Sequence, residues 1–419
     1  MTDLKQVVDY QLCCGCGLCA YLYPEKIRMA DAPAFGRRPK FTEEPAESNT
    51  FSFALGLCPG VSLSHTTETF FKQGRIESLA DHWGPVLEVW EGYATDPEIR
   101  FKGSSGGVLS AISLYCLERE GMHGVLHTTA DDQRPYLNKT ILSRSRNSLL
   151  AAAGSRYSPA SPCEGLQEIE HALAPCVFIG KPCDVAAVQR ARKHRPALHT
   201  KVGLTMACFC AGTPSTNGTL AMLRQMGIDS LDELVTLRYR GCGWPGKTRA
   251  EKKTEIGTTS TELTYEQSWG DILQKHRQWR CYICPDHTGE FADIATGDPW
   301  YREKTKNEQG RSLIVARTQL GQHIVEKAIA AHYLTAEKVD PLFLPASQPN
   351  LLKTRAMLWG RLMALKLFLA PCPCYEGFAL AGSWNRELSL KEKMQSLLGT
   401  MNRIYKKRLK ERQHLSFTV

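Results

Sequence analysis

The chain has 419 residues, of which 42% are hydrophobic and 23% charged, and it carries a formal net charge of +9 and sixteen cysteines. A chain of this length can form two or three domains with their own cores, and its composition excludes a disordered or fibrous protein. It contains no signal-peptide pattern and no window of eighteen uninterrupted apolar residues, so the sequence predicts a cytoplasmic protein whose cysteines serve metal or redox chemistry.

Cys13, Cys16 and Cys19 form a C-x2-C-x2-C motif close to the N-terminus. Bacterial ferredoxins bind a [4Fe–4S] cube with this spacing, and their motif continues with a cysteine-proline pair whose cysteine serves a second cluster. Here that position is occupied by Tyr23, so the fourth ligand has to come from elsewhere. The next cysteine along the chain is Cys58, which a proline follows. The sequence therefore predicts one [4Fe–4S] cluster held by Cys13, Cys16, Cys19 and Cys58.

Two other interpretations of these cysteines are weaker. Structural zinc sites usually combine two separated C-x2-C pairs, and disulfides need an oxidising compartment. Cys14 lies inside the motif but outside its spacing, and we expect its side chain to point away from the cluster. Residues 1–65 are predicted to form a small ferredoxin-like unit, in which the metal supplies much of the folding free energy.

The main body begins with an apolar segment at 86–93, which predicts a strand, and a Gly/Ser loop follows. The loop consists of Lys102, Gly103, Ser104, Ser105, Gly106 and Gly107. It precedes a predicted amphipathic helix at 108–119 and a predicted strand at 125–129. Backbone N–H groups at a helix start can bind phosphate, but the loop matches no nucleotide-binding motif, so a plain turn is equally consistent. A second loop, with Gly154, Ser155 and Tyr157, has the same ambiguity.

Two strand-to-helix turns follow, each with a cysteine at the turn. A buried strand at 177–180 leads to Cys183, and Asp184 is predicted to cap the helix at 185–193. A second strand at 202–209 leads to Cys210 and a helix at 219–226. In a parallel α/β sheet both turns lie at the carboxyl edge, where ligands bind. The sequence therefore predicts that Cys183 and Cys210 lie close together.

Cys281 and Cys284 form a later C-x2-C pair, ahead of a predicted strand and acidic turn at 292–298. Alone, this pair would fit a redox dithiol, half a zinc site or half a cluster. With Cys183 and Cys210 it makes four thiolates, enough for a second [4Fe–4S] cluster or an all-cysteine zinc site. We favour the cluster, because the first cluster needs an electron acceptor. Cys208 is an alternative to Cys210, although the turn position favours Cys210.

Residues 350–419 are predicted to form a basic helical extension. Nine cations and three carboxylates lie between Arg386 and Gln413, so this segment holds two thirds of the excess positive charge. One apolar face comprises Leu358, Leu362, Leu365 and Leu369, and a second comprises Leu390, Met394, Leu397, Met401, Ile404 and Tyr405. We expect an appended helical layer with a solvated basic face. Contact with an anionic membrane surface is the weaker alternative.

The ordered motifs resemble the family of beta subunits of coenzyme F420 hydrogenases and dehydrogenases, whose relatives include 7-hydroxymethyl chlorophyll a reductase and a ferredoxin-linked divinyl chlorophyllide reductase. The resemblance covers roughly residues 10–345 and is strongest at 280–298. It implies an FAD-binding α/β core with a [4Fe–4S] cluster beside the flavin. In family terms the ligands of that cluster are Cys183, Cys210, Cys281 and Cys284, and the loops at 102–107 and 154–157 contact the flavin.

The residues and the resemblance together predict a mixed α/β fold. The N-terminal iron–sulfur unit occupies 1–65, the flavin-binding region 85–165, the region of the second cluster 166–345 and the helical extension 350–419. Asp298, Asp293 and His287 are candidate proton donors by their position near the last cysteine motif. No aromatic and basic surface of the kind that binds nucleic acid is recognisable.

The predicted function is that of an iron–sulfur flavoprotein oxidoreductase. Electrons would come singly from an acidic donor such as ferredoxin, pass through two [4Fe–4S] clusters to FAD, and reach a small organic substrate as a hydride. The alternative is an electron-transfer subunit of a larger hydrogenase or dehydrogenase, whose flavin exchanges hydride with coenzyme F420 or a similar carrier. A homo-oligomer is compatible with either function.

Overall fold

The computed structural model describes residues 1–42, 50–65, 74–303 and 308–418 of the chain. Its strands are β1 (Ile27–Ala32), β2 (Gly36–Phe41), β3 (Ser62–Ser64), β4 (Glu88–Ala94), β5 (Val125–Ala130), β6 (Asn138–Ser143), β7 (Cys176–Gly180), β8 (Val202–Cys208), β9 (Leu234–Arg238), β10 (Thr248–Thr254), β11 (Gly257–Leu263), β12 (Ile294–Gly297), β13 (Ser312–Ala316), β14 (Leu334–Lys338) and β15 (Cys374–Glu376). The main sheet has the order β14-β4-β13-β12-β8-β7-β5-β6.

The helices complete a mixed α/β fold, as predicted. They are α1 (Leu4–Asp9), α2 (Leu18–Leu22), α3 (Ser52–Leu57), α4 (Glu77–Trp83), α5 (Pro97–Lys102), α6 (Val108–Glu118), α7 (Arg146–Ala151), α8 (Leu166–Glu170), α9 (Pro182–Arg192), α10 (Pro196–Lys201), α11 (Thr216–Gln225), α12 (Trp279–Tyr282), α13 (Gln319–Ala330), α14 (Phe343–Ser347), α15 (Pro349–Ala356), α16 (Leu358–Leu367), α17 (Leu380–Glu387) and α18 (Leu390–Lys406). Among the described residues, no helix combines the length and apolar character needed to cross a bilayer.

Four parallel strands, β5, β7, β8 and β12, form the middle of the main sheet. Their residues are apolar without strict alternation because both faces are covered: Phe178 packs into one core and Val177 into the other. The carboxyl ends of parallel strands lie at one edge of a sheet. The turns that follow β7 and β8 therefore lie side by side, which confirms the predicted placement of Cys183 and Cys210.

The helix after β7 begins earlier than predicted. Pro182 occupies its first turn, where a missing N–H costs nothing, and Lys181 is the N-cap. Asp184, predicted as the cap, is the third helical residue, and its carboxylate accepts a hydrogen bond from the Lys181 N–H at 2.9 Å. Asp184 thus stabilises the turn from inside the helix rather than from the position before it.

The C-terminal extension packs on the N-terminal unit instead of forming a separate layer. β15 pairs in parallel with β3. Farther along, the Gln413 N–H donates to the Asp9 carbonyl and the Thr418 N–H donates to the Asp31 carbonyl, both at 2.9 Å. The first and last segments of the chain therefore stabilise each other.

Candidate functional site

Cys13, Cys16, Cys19 and Cys58 line one small cavity in the N-terminal unit. The Gly15 N–H donates to the Cys13 sulfur at 3.3 Å, and Gly15 has the positive φ of +70° that this turn requires. Burial, together with the other three thiols, raises the pKa of Cys19 well above its ordinary value. Four buried thiols become compatible as thiolates once a metal cation neutralises them, so this donor set fits a [4Fe–4S] cluster.

A second group of thiols lies at the carboxyl edge of the main sheet. Cys210 follows β8, and its thiol has Cys281 and Cys284 as electrostatic neighbours. Cys183 follows β7 and lies within reach of the same buried Arg280 guanidinium as Cys284. The Thr213 N–H donates to the Cys281 sulfur at 3.3 Å. The structure thus brings the four predicted ligands to one region, and a donor set of four thiols fits a [4Fe–4S] cluster or an all-cysteine zinc site.

Cys14 joins the two groups. Cys14 lines the same small cavity as the first group, and its thiol is also hydrogen-bonded with the Cys183 thiol of the second group. The hydrogen bond from Cys183, acting against burial, lowers the pKa of Cys14 to about 6. Cys14 therefore neighbours both thiol groups, and a single peptide unit connects it to Cys13. The adjacent pair Cys13-Cys14 was the sequence signal for this contact between the two thiol groups, but ligand-spacing rules assign no role to Cys14.

Arg280 is a buried cation shared by the two groups. Its guanidinium donates to the Pro59 carbonyl at 2.9 Å and to the Ile283 carbonyl at 3.1 Å. Pro59 follows one predicted ligand and Ile283 precedes another, so Arg280 holds both ligand loops. Within 1–42, 50–65, 74–303 and 308–418, no three or more His, Cys, Asp or Glu side chains already stand at the spacing of a metal-ion site, so the fit of each thiol group to a cluster rests on the type and number of its donors.

A cavity of about 350 Å³ opens beside the second thiol group. Seven of the nine predicted flavin-contacting residues line it: Gly103, Ser104, Ser105, Gly107, Gly154, Ser155 and Tyr157. The two loops touch through a hydrogen bond of 2.9 Å between the Ser155 and Ser104 hydroxyls. Lys102, whose ammonium pairs with Glu98, and Gly106 are not among the lining residues.

The rest of the cavity wall has the chemistry of a flavin dinucleotide site. Three cations line the cavity: Lys181 is paired with Asp184, Arg240 with Asp298, and Arg156 donates to Asn138 and to main-chain carbonyls. Four aromatic side chains, Tyr157, Tyr265, Trp269 and Trp300, offer flat surfaces to rings. Gly154, with φ of +105°, brings the second loop so near that an added Cβ would lie 2.8 Å from the Arg240 carbonyl. The small loops and the aromatic surfaces are compatible with a ligand that carries flat rings and phosphate, such as a flavin dinucleotide.

Sequence reasoning missed the part of this wall that comes from the small sheet β9–β11 and its neighbours. Arg240 follows β9, and Trp269 lies in a π-helical stretch, Glu266–Ile272. Neither residue belongs to a recognisable motif, because only tertiary packing brings the small sheet to the edge of the main one. Cys208 and Cys210 both line the cavity, so the choice between them as ligand stays a prediction.

Asp298 lines the cavity but is already engaged. Arg240 forms a bidentate ion pair with its carboxylate, and the Trp244 indole N–H donates to it at 2.7 Å. The main-chain carbonyl of Asp298 accepts a hydrogen bond from Gln348. Asp298 therefore orients Arg240 in the cavity wall, and its assignment as a proton donor stays a prediction.

The structure does not bring the other two candidate proton donors into the cavity. Asp293 precedes β12 and therefore lies at the opposite edge of the sheet, where it accepts hydrogen bonds from Thr205 and Thr318. His287 is buried, and burial lowers its pKa to about 4. Its ring N–H donates to the Cys210 carbonyl at 2.8 Å. His287 thus fixes the Cys210 loop, and neither residue is placed to protonate a substrate.

Two protein-family models match this chain. The family model "Coenzyme F420 hydrogenase/dehydrogenase, beta subunit N-term" matches residues 89–168, and the family model of the corresponding C terminus matches residues 174–341. A coenzyme F420 hydrogenase subunit beta from Methanococcus voltae is 29% identical over 257 residues, which are 59% of this chain and 82% of the relative. The same subunit from Methanosarcina barkeri is 25% identical over 243 residues, 57% of this chain and 77% of the relative.

A longer match involves a coenzyme F420-dependent sulfite reductase from Methanocaldococcus jannaschii. It is 21% identical over 355 residues, which are 81% of this chain but 49% of the relative. A chain of the F420-reducing [NiFe] hydrogenase complex from Methanosarcina barkeri has a similar structure, with a TM-score of 0.52 and 22% identity over 67% of this chain and 94% of that one. At this identity the structural likeness concerns the fold alone.

Proposed function

The chain belongs to the coenzyme F420 hydrogenase/dehydrogenase beta-subunit family. From that premise we propose that it exchanges a hydride with coenzyme F420 or a similar carrier at the large cavity. At the first thiol group it exchanges single electrons with a protein partner. Its relatives are named as hydrogenase subunits and as a sulfite reductase, so the chain is an oxidoreductase. The names of these relatives favour the function of an electron-transfer subunit over that of the stand-alone ferredoxin-linked reductase predicted from the sequence.

The shared position of Cys210 is the observation that carries the proposal. Cys210 lines the large cavity and is also a neighbour of Cys281 and Cys284. A cluster held by the second thiol group would therefore adjoin a flavin held by the loops at 103–107 and 154–157. A flavin can take up two electrons as a hydride and release them singly, which is the chemistry that joins a hydride carrier to iron–sulfur clusters.

The residues of this chain supply position and charge. The loop glycines would let the backbone approach a dinucleotide, and the cysteine groups would hold the clusters. Lys181 and Arg240, each paired with a carboxylate, would present N–H donors at the cavity wall. Cys14 and Arg280 bring the two cysteine groups into one continuous region. The first group lies farther from the cavity, and we assign it the exchange of electrons with the partner.

Anaerobic mixing with reduced coenzyme F420 tests this function. We expect the flavin absorbance near 450 nm and the broad iron–sulfur absorbance to bleach together, with oxidised F420 appearing in a one-to-one ratio to the electron pairs taken up. NADH serves as the control hydride donor. Bleaching by reduced ferredoxin combined with no response to F420 would favour the ferredoxin-linked reductase instead.

Replacing Cys58 by serine is expected to remove the first cluster alone. The iron content should fall from about eight to about four atoms per chain, because a [4Fe–4S] cluster loses stability when one thiolate ligand is replaced. Bound flavin should be unchanged, because Cys58 lines the small cavity and is not among the residues that line the large one. The matched control is Cys374→Ser, an exposed cysteine of β15. Full iron content in the Cys58 variant would show that the ligand assignment is wrong.

Replacing Gly154 by alanine is expected to weaken flavin binding about tenfold or more. The residue needs φ of +105°, and the new Cβ would lie 2.8 Å from the Arg240 carbonyl, so the loop has to move away from the cavity. Flavin fluorescence released on titration measures the loss. Gly382→Ala in α17 is the control, since its nearest neighbour is an arginine side chain at 3.6 Å. Equal flavin affinity in the two variants would remove this loop from the site.

A further inference from the structure

The last helix, α18, buries two small polar residues and one apolar residue, and it leaves most of its large apolar side chains exposed or half-buried. Ser396, Thr400 and Ile404 face the interior, and the Ser396 hydroxyl lies where a Cβ on Gly360 of α16 would be. Small side chains on both helices thus allow a close approach, which displaces the larger residues outward. Of the apolar face predicted at 390–405, Ile404 alone is buried.

The displaced side chains form an exposed apolar surface, which we call the C-terminal face. Its members are Leu367, Leu369, Leu390, Met394, Leu398 and Tyr405. Their exposure reaches 81% at Leu390 and 84% at Leu369. The rings of Phe368 and Tyr405, 6.0 Å apart, connect the end of α16 to α18. Large apolar side chains exposed together on two neighbouring helices are typical of an interaction site in globular proteins.

Cations surround the C-terminal face. They are Lys366, Lys391, Lys406, Lys407 and Lys410, all exposed. The carboxylates nearby are already paired, Glu411 with Arg408 and Glu392 with Lys353. Across the part of the chain that the structure describes, none of these five lysines forms an ion pair. The surface therefore combines an apolar centre with a positive rim, and it is complementary to an acidic protein.

Both thiol groups lie directly beneath α16 and α18. The buried sides of these helices pack against Leu12 and Cys13 of the first ligand loop. The Arg361 guanidinium donates to the Tyr282 carbonyl, between two predicted ligands of the second group, at 2.6 Å. Arg403 of α18 covers the Tyr282 ring at 5.3 Å. A helix with its side chains is about 10–12 Å thick, so a molecule on the C-terminal face lies one helix layer from the ligand loops.

We propose that the C-terminal face is the docking surface for an acidic iron–sulfur electron-carrier protein. The proposal rests on the function proposed above, in which single electrons cross the N-terminal end of the site. Each docking event transfers one electron between the carrier and this chain, so that the carrier is oxidised as this chain is reduced. Two such events and one proton from water balance one hydride at the cavity.

The charge and position of the surface argue against the other occupants. A second copy of the chain would bring two positive rims together, and the repulsion would oppose a dimer through this face. An anionic lipid surface matches the charge. However, lipid binding does not require the thiol groups to lie one helix layer below the surface, whereas electron transfer from a docked carrier requires them within that distance.

Two paired variants test the surface, with an acidic plant-type ferredoxin as the probe. In the first, Lys406→Glu is combined with Lys407→Glu, and the control combines Lys253→Glu with Lys275→Glu. In the second, Leu390→Ser is combined with Met394→Ser, and the control combines Leu173→Ser with Ile256→Ser. All eight positions are exposed, so the fold is expected to persist. Anaerobic calorimetric titration at low and high salt measures the affinity.

We expect each C-terminal-face variant to bind the ferredoxin about tenfold more weakly at low salt than its control, with the charge variant losing the salt dependence. Equal affinity of variants and controls would overturn the proposal. The proposal would also be overturned if the C-terminal-face variants converted a dimer of this chain into monomers. It would be overturned as well if they bound phosphatidylserine vesicles more weakly but bound ferredoxin as tightly as before. Dithionite reduction and flavin content of the same samples separate this outcome from failure of the proposed function, which would show as absent iron or flavin.

Discussion

A Cys281→Ser variant is expected to retain the first cluster and lose the second. Its iron content should fall from about eight to about four atoms per chain. The rate of electron transfer from a hydride carrier to a one-electron acceptor should fall at least about a hundredfold. Loss of a residue that only supports a metal ligand costs about ten- to a hundredfold, so loss of a ligand should cost at least as much. Cys281 is central to the second group, because Cys210 and Cys284 both have its thiol as a neighbour. Serine offers a weaker ligand at the same position.

The matched control for this variant is Cys208→Ser. Cys208 lies two residues before Cys210, at the exposed end of β8, and its sulfur is 3.9 Å from the Gly180 carbonyl. We expect the control to keep about eight iron atoms. Iron and acid-labile sulfide analysis of both proteins decides between them. If Cys208→Ser loses iron while Cys281→Ser keeps it, the second ligand set has been assigned incorrectly.

A Glu290→Gln variant is expected to lower the free energy of unfolding by about 3 kcal/mol at neutral pH. The Glu290 carboxylate is fully buried between Arg355 of α15 and His65, whose ring nitrogen lies 2.7 Å from it. Arg355 also donates to the Pro285 carbonyl, which follows Cys284. The variant would leave the Arg355 cation buried without its partner. This one carboxylate therefore connects the N-terminal unit, the second ligand loop and the C-terminal extension.

The contribution of Glu290 should depend on pH. Burial opposes its ionisation, but Arg355 and His65 outweigh burial and lower the pKa from 4.5 to about 2. Because the folded pKa lies below the unfolded one, the stabilisation is present above about pH 4.5 and is lost as the pH falls towards 2. Urea unfolding of both proteins at several pH values should show the difference shrinking in that window. Glu77→Gln, at an exposed ion pair, is the control and should not change stability.

The sequence predicted the elements whose signals are local. The buried strands β7 and β8 read as apolar runs, and the Gly/Ser loops that line the cavity stand out by composition. The cysteine motifs were recognisable because ligand spacing is a short-range property. The parallel order of β7 and β8 followed from their strand-to-helix turns, and it brought Cys183 and Cys210 to one edge.

The features that sequence reasoning missed depend on distant contacts. Cys14 meets Cys183 across 169 positions of the chain, and the Arg240–Asp298 ion pair joins the small sheet to the main one. Asp293 was placed by its neighbours in sequence, but the direction of β12 puts it at the opposite edge from the cavity. The buried side of α18 differs from the predicted apolar face, because two small residues, Gly360 and Ser396, bring the helices together. Apolar periodicity alone does not reveal such an approach.

The central claim is that two groups of four thiols and one cavity hold two [4Fe–4S] clusters and a flavin in a single chain. Anaerobic purification followed by iron, acid-labile sulfide and flavin analysis tests it most directly. The account predicts about eight iron atoms, about eight sulfides and about one FAD per chain. Zinc in place of iron, or the absence of flavin at full occupancy of the metal sites, would contradict it.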